Sequence, residues 1–277
     1  MKMKMVKIAA LLLLVTSAVT TTTAQTKSGE QLNVPLSNPG KPYTLKVHLV
    51  QGAIKVTGYD GDQVVINVSA RDSDNSDQPE KVNGMKRISS SKGYDVTARE
   101  LDNTVTVETG NPAKSVNLDL KVPQNVNLKV GTVNDGEIIV DNVNGSVEAN
   151  NVNDKIELNG ISGSVVANTV NGDVTVTFNS VDPKAPMAFS TLNGDINVTF
   201  PPSTKANLKM KSDNGDIYSD FDIDIDKTPS KAVTTSEKGL YKITKDDWVY
   251  GKMNGGGTEM LLKNMQGDIY VKKAGNK

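Results

Sequence analysis

The chain has 277 residues, 36% of them hydrophobic, with 31 basic and 32 acidic side chains and a formal net charge of -1. So even a balance offers no basic face to nucleic acid. The absence of cysteine excludes disulfides and thiolate metal sites, and a single histidine, His48, leaves no basis for a His-rich zinc centre.

Residues 1–24 differ from the rest of the chain. Lys2, Lys4 and Lys7 precede an apolar run from Ile8 to Val15, and small residues lead to Ala24. This is the pattern of a secretory signal peptide cut after Ala24, leaving 25–277 as a single exported domain. The apolar run falls short of the ~20 residues that a spanning helix needs. No later segment is long and apolar, so the chain is not expected to span a membrane once the leader is removed. It is expected in the periplasm or at the cell surface.

Residues 43–70 hold the alternating runs YTLKVHLV, AIKVTG and QVVINVSA, with turns at Gly52 and at Gly58–Asp62. Within the first run, His48 lies between Val47 and Leu49, so it should point to solvent if they point inward. A polar stretch, 71–81, reads as a loop. The alternation resumes in YDVTARE, NTVTVETG and SVNLDLKVPQNVNLKV, where Pro123 is unsuited to a central strand. This first part predicts irregular coils, or a cap over one end of a stack.

The most regular region is about 133–225. Val143, Val152, Ile161 and Val170 are spaced nine residues apart, and Gly145, Asp154, Gly163 and Gly172 follow each by two. The pattern returns at Leu192–Ile196, Asp213–Ile217 and Met265–Ile269. A meander of Asn-Gly hairpins would match the spacing. It would also place Asn150, Asn159 and Asn168 in mid-strand and turn Val152 and Val170 toward water. A solenoid avoids both problems. The sequence therefore predicts an all-β solenoid of stacked parallel coils with two short strands per roughly 20-residue coil, each coil the template for the next. Like residues would stack at ~4.8 Å, with asparagine ladders at the corners.

Asp220, Asp222, Asp224 and Asp226 alternate with Phe221, Ile223 and Ile225, so in a strand the carboxylates share one face. Such a face can hold calcium, or simply be solvated opposite a buried Phe/Ile face. The recurring Gly-Asp pairs lack the full Gly-Gly-x-Gly-x-Asp calcium motif and read as corners. Residues 227–250 break the rhythm and read as an insertion. Within it Trp248 and Tyr250, near Tyr241, Asp246 and Asp247, could stack on a glycan or pack against the stack. The regular pattern returns at 254–273, where Lys272 and Lys273, with Lys277, suit a last strand guarding an open edge. Thr175, Thr177, Asn197 and Thr199 on the regular faces are poor acid–base groups. No catalytic, metal or cofactor-binding set emerges.

The segments QGAIKVTGYDGDQVVINVSA, NLDLKVPQNVNLKVGTVNDGEIIVDNVNGSV and NGGGTEMLLKNMQGDIYVKK, with the repeated VNGD[VI], resemble the DUF4097-type family of candidate adhesins over about 43–273. That resemblance implies an exported, right-handed parallel β-helix without established catalytic activity. It assigns no binding residues. The expected partner is a cell-envelope component or an extracellular glycan or protein, and a carbohydrate-active enzyme is the more remote alternative.

Overall fold

The computed structural model describes residues 30–70, 81–82, 85–86, 93–227, 232–237, 240–245 and 247–275. The expected leader, Lys277, Asp246, the side chain of Tyr241 and all but Lys81 of the expected loop 71–81 lie outside the residues and side chains described. The described residues form strands and turns without a helix, so none is long and apolar enough to cross a membrane.

Nearly all strands belong to one solenoid-like sheet. It is built from two in-register parallel ladders that share one core. The rows of the ladders, here called layers, are counted in spatial order. Layer 1 holds Thr104–Thr109 and Val116–Pro123, and layer 2 Tyr43–His48 and Ile54–Tyr59. Layer 3 holds Val126–Gly131 and Ile138–Asp141. The long strand Ile156–Asn168 passes from one ladder to the other. Its first part joins Asn144–Asn150 in layer 4, and its second part joins Val174–Val181 in layer 5. Met187–Ser190 and Ile196–Phe200 make layer 6.

Layers 3 to 6 follow the chain, and like rests on like. Val147 pairs with Val165, Ala149 with Ala167 and Val174 with Ile196. Because strand side chains alternate, each strand sends its aliphatics between the ladders. Phe178, Phe189 and Phe200 fill the core there, with Phe178 and Phe200 stacked at 5.2 Å.

The expected ladders form at the corners. Asn168 donates to Asn150 at 3.1 Å, Asn171 to Asn153 at 3.0 Å and Asn193 to Asn171 at 2.8 Å. The recurrent glycine has a steric cause. Gly194 has φ 148° and Gly267 φ 118°. A Cβ on Gly194 would strike the carbonyl of Gly172 one layer away, and a Cβ on Gly267 the carbonyl of Gly194.

Both ends depart from chain order. The 43–59 layer lies between 104–123 and 126–141, with parallel pairing on both sides. At the other end, the next strands along the chain, Ala206–Asn214 and Ile217–Ser219, do not pair with layer 6. Thr258–Gln266 and Ile269–Lys273 occupy the intervening slot as layer 7, bonded to layer 6 on one side and to 206–219, layer 8, on the other. The expectation that each coil templates the next therefore fails here. So does the reading of Lys272 and Lys273 as guards of an open edge. Their strand is interior, with Lys272 opposite Thr199 and Lys273 opposite Phe200.

Antiparallel strands close the ends. Val96–Leu101 lies on layer 1, as does Gln63–Ala70, which in turn carries Glu30–Pro35. Val249–Met253 lies on layer 8 and carries Ile223–Ile225. Pro123 ends its strand, past the last position at which Gln63–Ala70 pairs with it. Lys81–Val82 pairs with Met85–Lys86, and Ala232–Glu237 with Leu240–Lys245, in separate two-stranded sheets. The latter hairpin falls within the expected insertion 227–250.

Candidate functional site

At one corner of the stack the side chains point the opposite way from their hydropathy. Thr132, Asn151, Thr169, Thr191 and Asn264 are buried. The next residue in each case, Val133, Val152, Val170, Leu192 or Met265, lies outside or half-outside. The cause is the backbone. A sharp corner leaves carbonyls without a ladder partner, and a buried carbonyl needs a donor. Thr169 Oγ1 donates to the Asp154 carbonyl at 2.9 Å, Thr191 Oγ1 to that of Gly172 at 2.8 Å and Asn264 Nδ2 to that of Gly194 at 3.2 Å. The polar residue must turn inward, so the aliphatic neighbour turns out. Thus Val152 and Val170, expected inside a solenoid, are partly in water although the stacking is parallel.

This inversion builds a surface. Val170, Leu192 and Met265 are 38%, 41% and 45% exposed and stand one above another. Beside them runs a polar row of Asn168, Ser190 and Lys263, and beyond it Val166, Ala188 and Leu261. Ser190 Oγ donates to Asn168 Oδ1 at 2.7 Å, which fixes the middle row. Two apolar rows flanking a polar one thus run side by side across layers 5, 6 and 7. The sheet backbone holds this surface rigid. The sequence signal for it was the recurrent Thr-Val, Thr-Leu and Asn-Met pair at the corner.

A second cluster lies on the other ladder. Tyr218 and Tyr270 stack with ring centroids 5.2 Å apart, in layers 8 and 7. Tyr270 Oη donates to Asp268 at 2.9 Å, and Tyr218 Oη to Asp216 at 3.2 Å. The Asp268 carboxylate holds the Tyr270 phenol proton and pushes its pKa up to about 12; Asp216 moves Tyr218 in the same direction. The Gly-Asp pairs are corner residues in geometry. Asp173, Asp195 and Asp268 each accept the N–H of the aspartate one layer on, at 2.8 Å. Thr175, Thr177, Asn197 and Thr199 face outward, half-buried, on this same ladder.

The remaining residues singled out by sequence are more scattered. His48 is exposed, between buried Val47 and Leu49. Asp220, Asp222, Asp224 and Asp226 are all exposed, but only 223–225 is strand. Phe221 is buried, whereas Ile225 is exposed, so the apolar side is only partly covered. Among the described residues no three Asp, Glu or His side chains are grouped to hold a metal ion. Trp248 is half-buried and Tyr250 exposed. The Lys209 ammonium lies 4.7 Å from the Trp248 ring centroid and 6.0 Å from that of Tyr250. Lys211 pairs with Asp247 at 2.7 Å and with Asp213 at 2.9 Å. The Lys211 ammonium holds the Asp247 carboxyl below the usual aspartate range.

A model of the family described as Toastrack DUF4097 matches residues 14–272. Two solved structures are similar. One is of a candidate cell adhesion protein from Clostridium sporogenes, with 12% identity, 89% of this chain and 100% of that chain covered, and a TM-score of 0.40. The other is of a candidate adhesin from Bacteroides fragilis, with 10% identity, 90% and 98% covered, and a TM-score of 0.33. No curated protein matches the sequence.

Proposed function

We propose that this chain, which belongs to the Toastrack DUF4097 family, is an exported, non-enzymatic scaffold that holds a rigid contact surface toward the cell envelope or its surroundings. The reading rests on one observation above others. Val166, Val170, Leu192 and Met265 are large apolar side chains left in water on neighbouring rows of stacked strands. Exposed apolar area of this kind on a rigid scaffold is a contact surface. Export is supported by the lysine-rich start and apolar run of residues 1–24. We read the coil as right-handed with two short strands per turn, the hand that parallel crossovers take.

A screen of residues 25–277 against envelope glycans and envelope proteins tests the function. Leu192→Asp with Met265→Asp abolishes the capture that the screen detects, while the melting temperature stays nearly unchanged. Capture that survives both substitutions contradicts the assignment of the surface. Tyr250, 42% exposed beside Trp248, carries a second reading, a glycan-binding module. Under that reading Trp248→Ala, rather than the layer 6 and 7 substitutions, abolishes glycan capture. Turnover of a polysaccharide that a single Asp or Glu substitution abolishes would contradict both readings and establish an enzyme.

A further inference from the structure

We propose that layer 7 is an exchangeable element, and that residues 258–273 of one copy of this chain insert between layers 6 and 8 of a second copy. Four observations carry this. First, the segment fills a slot between strands that precede it by about fifty residues or more, and it is bonded to them on both sides. Second, its register matches both neighbours. Ile269 pairs with both Ile196 and Ile217, and Tyr270 with both Asn197 and Tyr218. When the segment leaves, layer 8 can close onto layer 6 with isoleucine on isoleucine, so release need not leave an open slot.

Third, the connection is a hinge. Met253 and Thr258 are paired with opposite sides of the same residue, Ala206, so the four residues between them cross the end of one strand. Those four are Asn254, Gly255, Gly256 and Gly257, the one run of three glycines in the sequence. Gly255 and Gly256 have φ 84° and 89°, and a Cβ on Gly255 would meet nothing within 4 Å. Extension toward another molecule breaks no contact at Gly255, but it gives up the Gly256 N–H bond to the Met253 carbonyl at 3.1 Å and the Asn254 Nδ2 bonds to the Pro202 and Thr204 carbonyls at 3.0 and 2.7 Å. Fourth, Asn264 is fully buried in this layer with no partner for its Oδ1. In layer 4 the corresponding Asn151 Oδ1 accepts the N–H of Val152 at 2.7 Å. The inserted layer is therefore satisfied less completely than one laid down in chain order.

The occupant is a second copy because every copy carries both the slot and the segment that fits it. Reciprocal exchange gives a closed two-fold dimer that regains all the layer 7 contacts. Leu261 and Met265 would then come from the partner copy, so each contact surface would be completed in trans. The dimer would present two such surfaces, which raises avidity without a new contact.

The chain has no cysteine of its own, so a disulfide can report the exchange. Asn197 and Tyr270 are Cα partners in adjacent strands. One preparation carries Asn197→Cys and another Tyr270→Cys. They are mixed at high concentration, equilibrated through mild denaturant and oxidised. The expected product is a disulfide-linked dimer of one chain of each kind, well beyond the two-fold excess over either self-linked dimer that random collision gives. A mixed dimer at or below that two-fold ratio overturns the proposal. A chain carrying both substitutions is the control. It must form the 197–270 disulfide, within one chain or between two, and failure to form either overturns the placement of layer 7 itself.

Discussion

Layers 3 to 6 and layers 6 to 8 are built from the same repeat, yet only the first group is stacked in chain order. In layers 3 to 5 each row rests on residues about 18 positions earlier, as in the Asn168–Asn150 bond. In layer 7 the rows rest on residues 73 and 52 positions earlier, as in the bonds that the Asp268 N–H makes to Asp195 and its carboxylate makes to the Asp216 N–H. The local chemistry is the same: corner glycine, aspartate capping the next N–H, aliphatics inward. The comparison shows that the repeat specifies what a neighbour must look like and leaves open which segment it is.

The largest expected effect tests whether the glycine column works alike in both regions. Gly194→Ala sets a Cβ against the Gly172 carbonyl at positive φ, and Gly267→Ala does the same against Gly194. Each costs about 3 kcal/mol or more, read as a lowered denaturant midpoint. Gly255→Ala, in the hinge, meets nothing and costs only about 1 kcal/mol, from its positive φ. A hinge substitution as costly as the column ones would break the distinction.

Next come core truncations. Ile196 and Ile269 are both fully buried in adjacent layers. Ile196→Ala and Ile269→Ala each lower stability by about 2–5 kcal/mol. Hydrogen exchange separates layer 7 from layer 5. Amides of 258–273 open through a sub-global event that those of 174–178 do not share.

A smaller effect sharpens the contrast at the corner. Asn264→Thr installs the residue found at the same inward corner in layers 5 and 6 and removes the orphaned Oδ1. It stabilises the protein by about 1 kcal/mol. A destabilised variant would show that Asn264 is already well held.

The phenols give a pH signature. Tyr270 is raised from 10.0 to about 12 chiefly by donating to Asp268. Its folded pKa lies above the unfolded one. The stability it contributes is therefore complete below pH ~10 and is lost as pH rises through about 12. Asp268→Asn moves the Tyr270 absorbance transition back toward 10.0. An unmoved transition would assign the shift to another cause.

Much of the fold was legible. The spacing of Val143, Val152, Ile161 and Val170 pointed to stacked parallel layers, and the corner asparagines to amide ladders. What was misread has two physical causes. Hydropathy placed Val170 inside, but a buried corner carbonyl takes the hydroxyl of Thr169 and forces its neighbour out. Chain proximity placed layer 8 on layer 6, but 258–273 carries the same repeat and takes the slot in register with both. One cue was present. The tetrapeptide Gly-Asp-Ile-Tyr occurs at 215–218 and again at 267–270, in the two layers that touch. Charge also misled, since Lys272 and Lys273 stand off the sheet face, with Lys272 Nζ on Asn197 and Lys273 over Phe221, and guard no edge. The contact surface was illegible for the first of these reasons, because its apolar rows are outward only if the polar corner turns in.

The order of the layers is the point on which both the surface and the exchange depend, and nuclear Overhauser contacts between cross-strand amide and α protons measure it directly. The expected result is contacts from Tyr270 to both Asn197 and Tyr218, and none between Asn197 and Tyr218. A direct Asn197–Tyr218 contact in the native protein, with Tyr270 elsewhere, would contradict it.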